Sequence, residues 1–123
     1  MPYEVTIEKQ FCASHHLLNY KGACERLHGH NYVVRLTALT HQLDEAGLAV
    51  DFKVMKQALQ PWLDQLDHSH LNDNPLLQGH SPSSERIAYI LYTLIKPTLP
   101  QLVKVAIAET PNQWATYYEP ITL

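Results

Sequence analysis

Two stretches of alternating apolar and polar residues constrain the fold of this chain more than any other feature. From Tyr3 to His15 the odd positions are mostly apolar and the even positions mostly polar. From His28 to Ala38 the even positions are two histidines followed by Tyr32, Val34, Leu36 and Ala38, and these residues are predicted to face inward. A period of two is typical of a β-strand with one face against a core. The chain is therefore predicted to begin with two long strands.

Antiparallel pairing of these strands would bring three histidines together. His15 ends the first strand, whereas His28 and His30 begin the second, so the three imidazoles share one face and one end. Burying a ring nitrogen without a partner costs roughly 1–3 kcal/mol, and one zinc ion would satisfy all three rings. Three imidazoles with an open fourth position are typical of a catalytic zinc site. For any one of these histidines alone, an ordinary packed residue is the alternative interpretation.

The rest of the chain predicts an α+β domain. Asp51 and Ser83 are predicted N-caps of two amphipathic helices, and two further strands are predicted to follow. The order ββααββ predicts an antiparallel four-stranded sheet with both helices on one face. We expect a single domain over 1–123. The predicted helices span 51–66 and 83 to before Pro97, and the predicted later strands span 102–109 and 114–119.

Composition excludes several classes of function. The formal net charge is −3 and there is no basic cluster, which argues against a nucleic-acid partner. No apolar run is long enough for a membrane span, and the first residues lack the pattern of a signal peptide, so we expect a cytoplasmic protein. Eight histidines against nine lysines and arginines are unusual and indicate metal or proton chemistry.

The two cysteines are interpreted as thiols rather than a disulfide, because the chain carries no secretion signal. Cys12 falls on the polar face of the first strand and is interpreted as structural or incidental. Cys24 lies in the connection that leads to His28. Beside a zinc ion its pKa would fall, which would make a thiolate available as a base or nucleophile. An inert buried thiol is the alternative.

Asp67, His68 and Glu109 are the other candidate chemical groups. Asp67 and His68 are adjacent and could form a carboxylate–imidazole relay, although His70 could be the partner of Asp67 instead. Glu109 ends an apolar row of the third predicted long strand. It could pair with a basic residue in the core, or it could hold the edge of a guanidine-like ring by two parallel hydrogen bonds.

Taken together, these residues resemble the 6-pyruvoyl-tetrahydropterin synthase family over nearly the whole chain. Each segment is modest evidence alone, whereas their order and spacing are specific. Within the family, the chain is most similar to the queuosine branch, which makes 6-carboxy-5,6,7,8-tetrahydropterin. The segments that carry the resemblance are Phe11-Cys12-Ala13-Ser14-His15, Cys24-Glu25-Arg26-Leu27-His28-Gly29-His30, Val50-Asp51-Phe52, Leu66-Asp67-His68, Leu71-Asn72, Pro82-Ser83-Ser84-Glu85 and Glu109-Thr110.

The resemblance implies the tunnelling fold, in which the sheets of several subunits join into a barrel with active sites between subunits. It also implies a small-molecule substrate, 7,8-dihydroneopterin triphosphate, and a homo-oligomer. The implied roles follow residue by residue. They are zinc binding for His15, His28 and His30, general base for Cys24, proton transfer for Asp67 and His68, and pterin binding for Glu109.

The two main branches of the family differ in their products. The pyruvoyl branch releases triphosphate and keeps the three-carbon side chain, whereas the queuosine branch also releases acetaldehyde and leaves a carboxylate. Only three residues separate Cys24 from His28, and this short spacing resembles the queuosine branch. His16 stands where the family often has an arginine, so no triphosphate contact is assigned to it. A metal-independent dihydroneopterin aldolase and a non-enzymatic zinc-binding protein are the alternative hypotheses.

Overall fold

The computed structural model of the protein describes residues 2–19, 21–22, 26 and 28–120. Within these residues the chain forms one five-stranded sheet with two α-helices, as expected for an α+β fold. In the sheet the strands lie in the order β3-β1-β2-β4-β5. The elements are β1 (Tyr3–His15), β2 (His28–Thr40), α1 (Phe52–Leu66), β3 (Ser69–His70), α2 (Ser84–Ile95), β4 (Leu102–Thr110) and β5 (Gln113–Tyr118).

The predicted N-caps begin both helices. The side chain of Asp51 accepts a hydrogen bond from the backbone N–H of Lys53 at 2.9 Å. The side chain of Ser83 accepts one from the backbone N–H of Arg86 at 3.2 Å. Each cap satisfies one of the backbone donors that the first helical turn leaves without a partner.

The alternation of β1 and β2 places their apolar residues on the face that the helices cover. Phe11 of β1 and Tyr32 of β2 stack with ring centroids 4.8 Å apart, and both are almost fully buried. Met55 and Leu59 of α1 belong to the same buried cluster, as do apolar residues of α2 and β4. Both helices therefore pack on one side of the sheet, and the opposite side of the sheet has no helix over it in the part of the chain that is described.

The sheet has one strand more than the sequence predicted. Ser69 and His70 form β3, which pairs parallel with Ala13 and Ser14 at the edge of β1. The sequence predicts four antiparallel strands, with none between the two helices. Two residues are too few to show a period of two, so the strand leaves no pattern in the sequence.

In the described part of the chain, no helix combines the length and the apolar character that crossing a bilayer requires.

Candidate metal centre

Strands β1 and β2 bring the three predicted histidines together. The antiparallel register sets His15 opposite His28, and Ala13 opposite His30. Nε2 of His15 and Nε2 of His28 lie 2.8 Å apart, and one nitrogen from each of the three rings lies within 4.8 Å of the others. The predicted convergence is confirmed, and these three rings could hold one metal ion.

Two backbone carbonyl groups fix the tautomers of His15 and His28. Nδ1 of His15 lies 2.7 Å from the carbonyl oxygen of Pro82, and Nδ1 of His28 lies 2.6 Å from that of Arg26. Because a carbonyl oxygen can only accept, each Nδ1 carries the proton and donates it. In the neutral rings both Nε2 lone pairs then face each other, which is unfavourable unless a cation binds them. This orientation by a second layer of acceptors is typical of metal-binding histidines.

The third ring, His30, supports the same interpretation. Its Nε2 is buried and has no hydrogen-bond partner among the described residues. Burial lowers the pKa of His30 and of His15, since desolvation disfavours the charged imidazolium. The neutral imidazole is the form that binds a metal. A buried nitrogen without a partner, two rings that burial keeps neutral and three converging ring nitrogens all fit a dication such as zinc.

Glu109 lies at the rim of the three rings. The register of β4 with β5 shifts at this residue, and such irregularities commonly redirect a side chain next to a functional site. Its carboxylate oxygens lie 3.8 Å from Nε2 of His15 and 3.8 Å from Nε2 of His30. The side chain is 25% exposed, so part of the carboxylate remains accessible to a ligand. Among the described residues, these two histidines are the basic side chains within 4.0 Å of the Glu109 carboxylate, so both the structural and the ring-binding interpretations of Glu109 stay open.

Asp67 and His68 form a pair at the edge of β1 that faces away from β2. Oδ2 of Asp67 lies 3.0 Å from Nδ1 of His68, and Oδ1 of Asp67 accepts a hydrogen bond from the backbone N–H of Cys12 at 2.8 Å. The Cys12 amide, and then His68, lower the pKa of Asp67 and keep it ionised. His68 is 80% exposed. The alternative partner, His70, is engaged elsewhere, with its Nδ1 2.9 Å from Oγ of Ser14.

Within one chain, the three-histidine cluster and the pair formed by Asp67 and His68 are therefore not bonded to each other. In the described ranges, no hydrogen bond or ion pair joins Asp67 or His68 to the three-ring cluster. His68 and His30 do line the same cavity, which has a volume of about 510 Å³. Cys24 falls outside the described residues, so its place beside the metal centre stays a prediction.

Three groups that orient the metal-binding rings were missed by the sequence analysis. Two are the carbonyls of Pro82 and Arg26, which no side-chain pattern reveals. The third is Tyr32, whose hydroxyl lies 3.0 Å from Nδ1 of His15. Burial raises the pKa of Tyr32, so its side chain remains a neutral phenol in contact with His15. Tyr32 is the next inward-facing residue after His30 on β2, and this alternation could have identified it.

Comparison with known proteins identifies the family of this chain. The family model described as 6-pyruvoyl tetrahydropterin synthase matches residues 4–120. The chain belongs to this family. A 6-carboxy-5,6,7,8-tetrahydropterin synthase of Synechocystis sp. is 38% identical over 119 residues, which cover 92% of this chain and 91% of the relative. A protein of the same name from Bacillus subtilis is 29% identical, with coverage of 94% and 84%. This family member is thus an enzyme of the tetrahydropterin synthase type.

Solved structures support the fold of this family member. The 6-pyruvoyl tetrahydropterin synthase of Caenorhabditis elegans superposes with a TM-score of 0.88 at 26% identity, and 98% of this chain and 97% of that chain are covered. An uncharacterised protein of Wolinella succinogenes gives a TM-score of 0.81 at 21% identity, with coverage of 98% and 99%. At this identity, the similarity to the Wolinella protein supports the fold alone. The predicted α+β tunnelling fold of the chain is confirmed.

Proposed function

We propose that this chain is a zinc-dependent lyase of the queuosine branch. It would convert 7,8-dihydroneopterin triphosphate and water into 6-carboxy-5,6,7,8-tetrahydropterin, acetaldehyde and triphosphate. The observation that carries the proposal is the cluster of three imidazoles whose ring nitrogens converge beside the carboxylate of Glu109. The names of the relatives from Synechocystis and Bacillus support the choice of product.

His15, His28 and His30 would hold the zinc ion. When bound, zinc would supply Lewis-acid chemistry, polarising substrate oxygens and lowering the pKa of a hydroxyl group. Glu109 would accept two parallel hydrogen bonds from the N–H groups on one edge of the pterin ring, as a carboxylate does with a guanidinium. Because Glu109 lies beside the imidazoles, an anchored ring would present its side chain to the metal centre.

Proton transfer would depend on Cys24 and on the pair formed by Asp67 and His68. A thiolate at Cys24, stabilised by the nearby positive charge, would take a proton from the side chain of the substrate. Oδ2 of Asp67 lies 3.0 Å from Nδ1 of His68, so the carboxylate would orient this ring, and Nε2 of His68 would be the atom that gives or accepts the proton. The arrangement resembles the way a carboxylate orients the base histidine in other enzymes.

The reaction can be tested directly with the zinc-loaded protein. We expect incubation with 7,8-dihydroneopterin triphosphate to release acetaldehyde and triphosphate in equal amounts and to form a carboxylated pterin. Acetaldehyde is measured after derivatisation, and the pterin by mass spectrometry. The matched control is His28→Ala, which removes one of the three nitrogen donors and should release neither product. Absence of both products from the wild-type protein would refute the proposal.

A second candidate is the pyruvoyl reaction, which the name of the structurally similar Caenorhabditis elegans protein favours. It predicts release of triphosphate without acetaldehyde in the same assay. Full activity after removal of the metal by a chelator would instead support a metal-independent, aldolase-like enzyme. The three outcomes are distinguishable by the products and by the effect of the chelator.

A further inference from the structure

Trp114 on β5 borders the same two cavities as Glu109. One cavity has a volume of about 310 Å³ and is also lined by Ser83 and Glu85 at the start of α2. The other has a volume of about 600 Å³ and is also lined by Arg35. Trp114 is 39% exposed, and it is the one Phe, Tyr or Trp residue among the described residues that line either cavity. A ligand bound to Glu109 would therefore lie close to this indole.

The indole of Trp114 is held in place from one side. Cζ of Arg35 lies 4.2 Å from the centroid of the Trp114 ring, which is a cation–π contact. Nε of Arg35 in turn donates a hydrogen bond to Oε1 of Glu8 at 2.8 Å. Glu8 and Arg35 are both about half exposed, and an exposed ion pair of this kind adds little to stability. The ion pair between Glu8 and Arg35 orients Arg35, and Arg35 in turn restricts the orientation of the indole.

The sheet leaves room around this ring. Ala108 pairs with Trp114 across β4 and β5, and the same Ala108 pairs with Val33 of β2. Paired residues point to the same face of a sheet, so Trp114 lies on the side of the sheet without helices, where Arg35 also lies. On β4, the small Ala106 pairs with Arg35 and the small Ala108 pairs with Trp114, so no large side chain of β4 separates Arg35 from the indole. Trp114 is therefore a partly exposed aromatic surface held by Arg35, and it shares two cavities with Glu109.

We propose that Trp114 contacts the face of the pterin ring and that Arg35 and Glu8 are positioning residues for it. The inference rests on the proposed function, because a pterin is the ligand. A planar ring held at one edge by a carboxylate can still tilt, and an aromatic side chain against its face limits the tilt. Aromatic rings in offset or edge-to-face contact attract one another in addition to the apolar area that they bury. Trp114 is thus a specificity residue for a flat, bicyclic ligand.

Kinetics with 7,8-dihydroneopterin triphosphate test the contact. We expect Trp114→Ala to raise KM by about tenfold with little change in kcat, because loss of a stacking contact removes binding shared by the ground state and the transition state. Trp114→Phe should restore most of the wild-type KM. Arg35→Gln should raise KM by about threefold through loss of the cation–π contact, and Arg35→Lys should recover part of that loss. An unchanged KM in Trp114→Ala would overturn the inference.

Fluorescence makes the test independent of turnover. The chain has two tryptophans, and Trp62 lies on α1 beside a different cavity. In a Trp62→Phe background, the emission reports Trp114 alone. We expect titration with 7,8-dihydroneopterin, which lacks the triphosphate, to quench this emission in a saturable way. Absence of saturable quenching would contradict the inference.

The two assays also separate this inference from the proposed function. Saturable quenching in a protein that turns over no substrate would refute the proposed function and support the ring contact. Turnover that is unaffected by Trp114→Ala would support the proposed function and refute the ring contact. The matched control is Tyr118→Ala, which removes a 63% exposed aromatic side chain from the same edge strand and should leave KM unchanged. If Trp114→Ala lowers the mass of the assembly and leaves KM as it was, the indole is a contact between subunits and the inference is wrong.

Discussion

At the scale of single residues, the chemistry of the metal centre depends on which nitrogen of each imidazole carries the proton. The carbonyl oxygens of Pro82 and Arg26 take the Nδ1 protons of His15 and His28, so Nε2 remains a donor for a metal. Backbone acceptors of this kind do not depend on the side chain at either position. The metal-binding tautomer is therefore a property of the fold, and substitution of Arg26 should leave it unchanged.

Cys24 gives the sharpest prediction at this scale. We expect Cys24→Ala to abolish turnover while zinc stays near one ion per chain, because a base is lost and no metal ligand is removed. Zinc content is measured by mass spectrometry after dialysis, and turnover by acetaldehyde release. Cys12→Ala is the matched control, since Sγ of Cys12 donates to Oδ1 of Asn31 at 2.7 Å and has no role in the proposed reaction. Loss of zinc from Cys24→Ala would mean that the thiol is a ligand.

At the scale of secondary-structure elements, the register of β1 with β2 positions the metal ligands, and the packing of α1 supports β1.

The N-cap of α1 can be tested separately from the site. We expect Asp51→Ala to lower the free energy of unfolding by about 1 kcal/mol, because the backbone N–H of Lys53 loses its acceptor. Urea denaturation of the zinc-loaded protein at fixed concentration measures the effect. Asp51→Asn keeps an acceptor and should be nearly neutral, and equal destabilisation by both variants would contradict the capping role.

Elements with a strong period were predictable from the sequence. Alternation along β1 and β2 was sufficient to place the three histidines on one face and at one end of the strand pair, because a slip by one residue would turn them to the other face. The pairing of His15 with His28 itself is seen only in the structure, since a slip by two residues keeps the same face. The two-residue strand at Ser69–His70 was missed because it is too short to have a period. The contact of Arg35 with Trp114 was also missed, since it joins strands far apart in the sequence. Periodicity predicts which face a residue occupies, but not its contacts across the sheet.

At the scale of the whole molecule, no hydrogen bond or ion pair of the described residues joins the two halves of the proposed site within one chain, although His30 and His68 line one cavity. The three imidazoles lie on the helix-covered face of β1 and β2, whereas the pair formed by Asp67 and His68 lies along the outer edge of β1. We propose that the edge strands pair between subunits, as exposed strand edges tend to do, and that a neighbouring chain supplies its Asp67 and His68 to complete each site.

Mixing two inactive variants tests this arrangement. We expect Cys24→Ala and His68→Ala each to be inactive alone. When the two are unfolded together and refolded in equal amounts with zinc, about a quarter of the sites should combine an intact Cys24 from one chain with an intact His68 from its neighbour in a symmetric assembly. Recovery of acetaldehyde release near that fraction is the expected result. A mixture as inactive as either variant would place the whole site within one chain.

The coordination of the metal is the central claim, and X-ray absorption at the zinc edge measures it most directly. For the zinc-loaded protein without substrate, the account predicts three imidazole nitrogens and one oxygen, from water, at about 2.0–2.1 Å, with no sulfur in the shell. The same measurement on His28→Ala should show one imidazole fewer or no bound zinc. A sulfur atom at about 2.3 Å from zinc, or a fourth imidazole, would contradict the open catalytic site.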